Sequence, residues 1–193
     1  MTSSAKRILR PAITLLIAMT VITGVAYPAV VTAIAQVAFP HQANGSMIVV
    51  DGKTVGSSLI GQAFDDPKYF SGRPSAAGAN GNDGTASAGS NLGPTSKTLI
   101  DTITARVDAE RKANGDGAVP VDLVTASASW LDPDISPAAA EYQVGRVAKA
   151  RGLSEDQVRA FVTRHTEQPL LGFLGEARVH VLELNLDLDG LLK

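Results

Sequence analysis

The sequence predicts a small mixed α+β domain carried on a single N-terminal transmembrane helix. Three observations predict it: an uncharged apolar run over residues 12–39, two helix starts with well-formed caps, and short stretches of strand character on either side of them. The chain has 193 residues, and setting the apolar run aside leaves about 150, the size of one domain that can bury a core. The expected organisation is an N-terminal segment over 1–10, a membrane helix over 11–39 and one folded domain over 40–193.

From Pro11 to Val50 there is no Lys, Arg, Asp or Glu. About 20 helical residues cross a hydrocarbon core of roughly 30 Å, so the run spans it with some tilt. Lys6, Arg7 and Arg10 precede the run and the next basic residue is Lys53, so the positive-inside bias puts the N-terminus in the cytoplasm and the domain outside. That placement is extracytoplasmic, on a single-pass protein of the cell (inner) membrane. Pro28 has no N–H and frees a carbonyl near Gly24, so a kink or an end to lipid exposure is expected there. The alternative is a cleaved export signal, because Ala33-Ile34-Ala35 follows a basic and an apolar region. Signal cores are typically about 7 to 15 residues, whereas this run persists well past Val25. Both readings export the domain.

Within the domain, Met47-Ile48-Val49-Val50, Asp51-Gly52 and Lys53-Thr54-Val55 read as a hairpin with a tight turn. A phosphate-binding loop at Gly52-Lys53-Thr54 is excluded, because that motif needs glycine where Met47 stands. Asp51 to Thr54 hold the letters of a phosphorylated-aspartate motif in the wrong order. Phe64, Tyr69 and Phe70, beside Arg73 and Pro74, either close the core or form a docking surface. Residues 76–93 are rich in Ala, Gly, Ser and Asn and read as a linker or an ordered loop. Leu99, Ile100, Ile103 and Val107 place an amphipathic helix from about Ser96 to Lys112, ended by Asn114-Gly115. Ser136 before Pro137 caps a second helix that runs to Gly152. Ser154 and Gln157 form a capping box, with Leu153 stapled to Val158, for a third helix toward His165. Val179 to Leu182 look like a strand, and the alternation of Leu184, Leu186 and Leu188 with Asn185 and Asp187 extends it.

Composition narrows the function classes. Net charge is −2; without Lys6, Arg7 and Arg10, the 17 basic residues fall to 14 against 19 acidic ones. That mildly acidic balance has no clustered cations to neutralise phosphates, so nucleic acid is not an expected partner. With no cysteine, disulfides, zinc-thiolate sites and thiol nucleophiles are excluded. His41, His165 and His180 fall in no recognised catalytic spacing, so no catalytic residue is assigned. Asp132 and Asp134 alone cannot supply the six to eight oxygens calcium takes, so no metal ligand is assigned either.

Several blocks, in one order, resemble a known family. They are Gly56-Ser57-Ser58-Leu59-Ile60-Gly61-Gln62, Tyr69-Phe70, Gly72-Arg73-Pro74-Ser75, Gly89-Ser90-Asn91-Leu92-Gly93, Leu131-Asp132-Pro133, Gln143, Arg146-Val147-Ala148, Ala150-Arg151-Gly152 and Leu174-Gly175-Glu176 with Arg178. Together with the single N-terminal span, they resemble the C subunit of the Kdp-type potassium-transporting P-type ATPase over nearly the whole chain. Ala128, Trp130, Asp134 and Ala177 depart from that pattern, at positions where the family usually has two glycines, His and Pro.

The resemblance implies a non-enzymatic subunit of an ATP-driven, high-affinity potassium import complex. It also implies two partner subunits, one channel-like and potassium-binding and one ATP-hydrolysing, besides membrane lipid. The implied role is assembly, and action as a catalytic chaperone that raises the ATP affinity of the hydrolysing subunit, with Gln143 as an implied nucleotide contact. No cofactor of its own is implied; ATP enters through the complex. Arg73, Ser90, Asn91, Asp132, Arg146, Glu176 and Arg178 are the candidate partner-contact residues that the resemblance marks. An extracytoplasmic domain does not reach cytoplasmic ATP, so indirect coupling is the expectation from the residues themselves. The alternative is a membrane-anchored module that binds a ligand or ion through the Asp132 loop.

Overall fold

The computed structural model describes residues 3–191. Met1 and Thr2 of the expected N-terminal segment, and Leu192 and Lys193 at the end of the domain, lie outside the described residues. The chain divides into two compact units, Met1–Ser46 and Met47–Lys193.

In the first unit the helix already includes residues 3–10, ahead of the apolar run. Helix α1 (Ser3–Val21) passes through a π-helical turn (Ile22–Ala26) into α2 (Tyr27–Ala38), and α3 (Pro40–Ala43) follows. Arg7–Ala38 is a 32-residue stretch long and apolar enough to cross a membrane, roughly 48 Å at 1.5 Å per residue. The expected disturbance at Pro28 takes the form of the π turn immediately before it. Widening the ladder there accommodates a proline ring that would otherwise meet the Gly24 carbonyl, and the helix continues.

In the second unit β1 (Met47–Val50) and β2 (Lys53–Ser57) form the expected antiparallel hairpin. Its second strand lies close to the rest of the domain: a Cβ on Gly56 would sit 2.8 Å from Leu182 Cδ2. After a long irregular stretch come α4 (Lys97–Asn114), a 3-10 turn (Val121–Leu123) and β3 (Asp134–Ile135). Then α5 (Pro137–Arg151), α6 (Glu155–Arg164), β4 (Thr166–Glu167), β5 (Arg178–His180) and α7 (Val181–Leu188) complete the domain. The three short strands make an antiparallel sheet in the order β3-β5-β4.

The helix ends follow the cap chemistry. Ser136 Oγ accepts from Ala139 N–H to start α5, and Gly152 at φ 67° ends it in the left-handed conformation glycine adopts without penalty. Both reciprocal bonds of the Ser154/Gln157 capping box are present. Helix α4 exists as expected, but its apolar stripe is shallow: Ile100 is exposed and none of its residues is fully buried. The core lies between α5, α6, α7 and β5, with Val144, Val147, Val158, Val179 and Leu184 almost wholly buried. Phe70 is among them at 0% exposure, so that aromatic closes the core.

One element differs from expectation. Residues 181–188 are a helix, not the continuation of a strand. His180 ends the strand and caps the helix, its Nδ1 accepting from Glu183 N–H at 3.3 Å. On a helix, Val181, Leu184 and Asn185 fall on one face, and all three are buried. The period-2 pattern of the leucines is compatible with both forms over eight residues, and packing against α6 and β5 decides it.

Candidate functional site

Residues 67–75 cross the domain as a strap with neither helix nor strand. Buried backbone in such a segment needs partners from elsewhere, and α5 and α7 supply them through side chains. Asn185 Oδ1 accepts from Phe70 N–H at 2.8 Å while its Nδ2 donates to Phe70 O at 2.9 Å. Gln143 repeats the arrangement one residue on, accepting from Ser71 N–H at 2.8 Å and donating to Ser71 O at 3.1 Å. Each amide thus pairs with one residue of the strap as a neighbouring strand would.

Arginines from α5 continue the pattern. Arg146 Nη1 donates to Pro67 O and Tyr69 O, and Arg151 Nε donates to Lys68 O. Every carbonyl from Pro67 to Ser71 therefore accepts from a side chain of α5 or α7. Tyr69 OH donates to Asp189 at 2.6 Å, and Arg151 pairs with the other oxygen of the same carboxylate at 2.8 Å. Burial raises the Asp189 pKa, but these two bonds outweigh it and the net shift is downward. Further along, Arg73 pairs with Asp132 at 3.0 Å and donates to Thr125 O.

Gln143 is 0% exposed. Its Nε2 also donates to Ala139 O, and its Oε1 also accepts from Arg146 Nη2 at 2.7 Å. Both amide protons and both lone-pair directions are occupied, which leaves nothing to offer a nucleotide in this conformation. Beside it, Arg146 Nε donates to Asn114 Oδ1 and Asn114 donates to Glu110. Burial pulls the Arg146 pKa down against the opposing charge of Glu110, and pushes that of Glu110 up. These groups line a small recess of about 140 Å³ with Asp65 and Pro67.

A second cluster spans the three-stranded sheet, centred on Arg178 of its middle strand. Arg178 pairs with Asp134 at 3.2 Å and with Glu167 at 2.5 Å. Asp132 Oδ1 accepts from Asp134 N–H, the turn expected before the Ser136 cap. Asp134 Oδ1 is buried without a hydrogen bond, and burial raises the pKa of its carboxyl despite His180 and Arg178. The His180 ring is held from both sides, by Ser58 O at 2.7 Å and by the α7 cap, so Nε2 carries the proton. His165 meets Asp187 at 2.9 Å, where Arg164 also pairs. Glu176 is exposed. No cluster of three or more metal-ligating side chains occurs among the described residues.

Ser90 and Asn91 fall in a third place, a groove of about 520 Å³ also lined by Leu99, Thr102, Arg106 and Trp130. Residues 76–93 are thus an ordered loop: Ala77 is fully buried, and Ser75 Oγ bridges Trp130 O and Asn82 N–H. Trp130 adopts φ 62°, a conformation costly for a large side chain and one that glycine adopts freely. Arg106 is anchored to Val124 O at 3.1 Å.

The structure brings Arg73, Asp132, Gln143 and Arg146 together along the strap, keeps Ser90 and Asn91 in the groove, and places Arg178 on the central strand of the sheet with Glu176 exposed just before it. Asn185, fully engaged with Phe70, was not a candidate from sequence. A helical reading of 181–188 puts it beside Leu184 and Val181 and is the pattern that finds it.

Comparison with known proteins is consistent across the chain. The family model described as K+-transporting ATPase, c chain, matches residues 9–190. A protein of Sorangium cellulosum named potassium-transporting ATPase KdpC subunit is 64% identical over 184 residues, which is 94% of this chain and 97% of the relative. One of the same name from Polaromonas naphthalenivorans is 60% identical over 188 residues, 96% of each chain. Another, from Herpetosiphon aurantiacus, is 57% identical over 182 residues, 93% of this chain and 94% of the relative. The chain therefore belongs to the family of the K+-transporting ATPase c chain.

Proposed function

We propose that this chain is a non-catalytic subunit of an ATP-driven potassium import complex. One membrane helix holds it, with the N-terminus in the cytoplasm and the Met47–Lys193 unit outside the cell (inner) membrane. Its partners are a channel-like, potassium-binding subunit and an ATP-hydrolysing subunit. The observation that carries the accessory role is the strap: Arg73, Asp132, Gln143 and Arg146 hold backbone and one another, so they form architecture and not a reaction centre. The family match and the 32-residue apolar helix support the rest.

In this reading the chain assists assembly and raises the ATP affinity of the hydrolysing subunit indirectly. A subunit shifts an affinity elsewhere only if it binds the partner's conformations unequally. A direct nucleotide contact by Gln143 would have to break four internal bonds first. The test is gentle detergent extraction of a C-terminally tagged chain, identification of co-purified proteins, and assay of their potassium-dependent ATPase with and without this chain. Recovery of a P-type ATPase whose activity and apparent ATP affinity fall when the chain is removed supports the proposal. Recovery of the chain alone, released without detergent, sinks it.

A ligand- or ion-binding module using the Asp132 loop is the second reading, favoured by the groove that Ser127, Ala128 and Trp130, just before Asp132, form with Ser90 and Asn91. Asp132→Ala tests it: altered potassium affinity with unaltered assembly speaks for a module.

A further inference from the structure

The loop between β4 and β5 carries a concentration of exposed apolar surface unlike any other among the described residues of the Met47–Lys193 unit. Leu170 is 70% exposed, Leu171 75%, Phe173 72% and Leu174 50%. Elsewhere in that unit, exposed large apolar residues such as Leu59, Ile100 and Val121 stand singly, which is ordinary for a protein surface. Four within five residues are not, because contiguous apolar exposure costs solubility unless something covers it. The tip is also held in shape. Leu170 and Leu174 exchange backbone bonds at 3.0 and 2.9 Å, Gly172 N–H donates to Pro169 O, and Leu171 stands at φ 56°. The two strands beneath pair in register, Thr166 with Val179 and Glu167 with Arg178. A rigid apolar knob loses little freedom on docking, so its burial converts efficiently into affinity.

The charges around the knob select the occupant. No Lys, Arg, Asp or Glu lies from Gln168 to Gly175, and the flanking residues are Glu167 and Glu176. Glu167 is paired by Arg178, while Glu176 is exposed. Insertion into an anionic lipid surface calls for basic residues beside the apolar ones, and the immediate flanks are acidic. A second copy of the chain would set like charges against each other. We propose that the 169–175 tip docks into an apolar cleft with a basic rim on a sister subunit of the ATPase. This rests on the subunit reading above, and it names the surface that reading leaves open.

The chain has no cysteine, so Leu171→Cys creates a unique handle on the full-length protein in its native membrane. A thiol-attached photocrosslinker at that position is expected to capture a subunit of the potassium-transporting ATPase, at a site with Lys or Arg nearby. In parallel, the double substitution Leu171→Asp with Phe173→Asp should lower recovery of sister subunits with the tagged chain at least about tenfold, equivalent to about 1.4 kcal/mol. Its thermal unfolding midpoint should stay unchanged. If the midpoint drops, the crosslink decides. Crosslinks only to lipid, to a second copy of the chain or to nothing overturn the proposal, as does undiminished recovery of the subunits; in each case the subunit reading stands. If the unsubstituted chain recovers no ATPase subunit, that reading fails and this proposal falls with it.

Discussion

The strap at 67–75 and the hairpin tip at 169–175 invert the usual placement of side chains. At the strap, two amides, Gln143 and Asn185, lie in the core at 0% and 1% exposure. At the tip, leucines and a phenylalanine lie in water. Buried polar groups are, with few exceptions, hydrogen-bonded, and the strap satisfies that condition carbonyl by carbonyl from Pro67 to Ser71. Exposed apolar groups have no such internal compensation. The strap is therefore explained within this chain, whereas nothing among the described residues covers the tip.

Substitutions that reverse polarity break this comparison if it is wrong. Asn185→Leu should have the largest effect, because both of its bonds to Phe70 are buried and leucine leaves a donor and an acceptor orphaned. The expected loss is roughly 3–5 kcal/mol, read as a fall in the thermal or urea unfolding midpoint of the detergent-solubilised chain. Gln143→Leu should cost about 2–4 kcal/mol, somewhat less because Ser71 is only half-buried. A Gln143→Leu chain that unfolds like the parent but loses ATP-affinity enhancement in the complex would favour a direct ligand role over the strap.

Asp187 sharpens the comparison through pH. Burial raises its pKa, but the hydrogen bonds from His165 and Arg164 prevail and hold it below the ordinary value. A carboxylate depressed in the folded state adds stability above its unfolded pKa, near 3.9, and loses that contribution as pH falls through the folded value. Asp187→Asn should thus cost roughly 1 kcal/mol at pH 7, a difference that closes as both proteins are acidified below about pH 4. Asp134 has the opposite sign: its raised pKa means the ionised form is disfavoured by the fold. Asp134→Asn should gain stability at neutral pH, by at most about 1 kcal/mol, and the gain should vanish in acid where both side chains are neutral. Smallest of all, Leu171→Ser should change stability by no more than about 0.5 kcal/mol, since that side chain is already in water.

Much of the fold was legible from local chemistry. The apolar run, the β1–β2 turn at Asp51-Gly52, the Ser136 and Ser154 caps and the Gly152 stop are each written within a few residues, because caps and turns are satisfied by neighbours in sequence. The π turn before Pro28 was legible as a disturbance, not in form. The helix at 181–188 was not legible, because alternating leucines fit either period over so short a span. That misassignment hid Asn185, whose strand reading placed it outward. Of the candidate residues, Arg73, Asp132, Gln143 and Arg146 were found as letters of a pattern, but their partners lie 59, 59, 72 and up to 79 residues away along the chain, beyond any local spacing.

What the residues alone decided about this protein, then, is the anchor, the caps and the family, since each rests on groups close in sequence or on an ordered series of blocks. Only the tertiary structure decided that the polar blocks serve a strap, that residues 76–93 are ordered, and that the apolar surplus gathers at one tip. The reason is physical: whether a polar group is satisfied, or an apolar one covered, depends on what the fold brings against it from far along the chain.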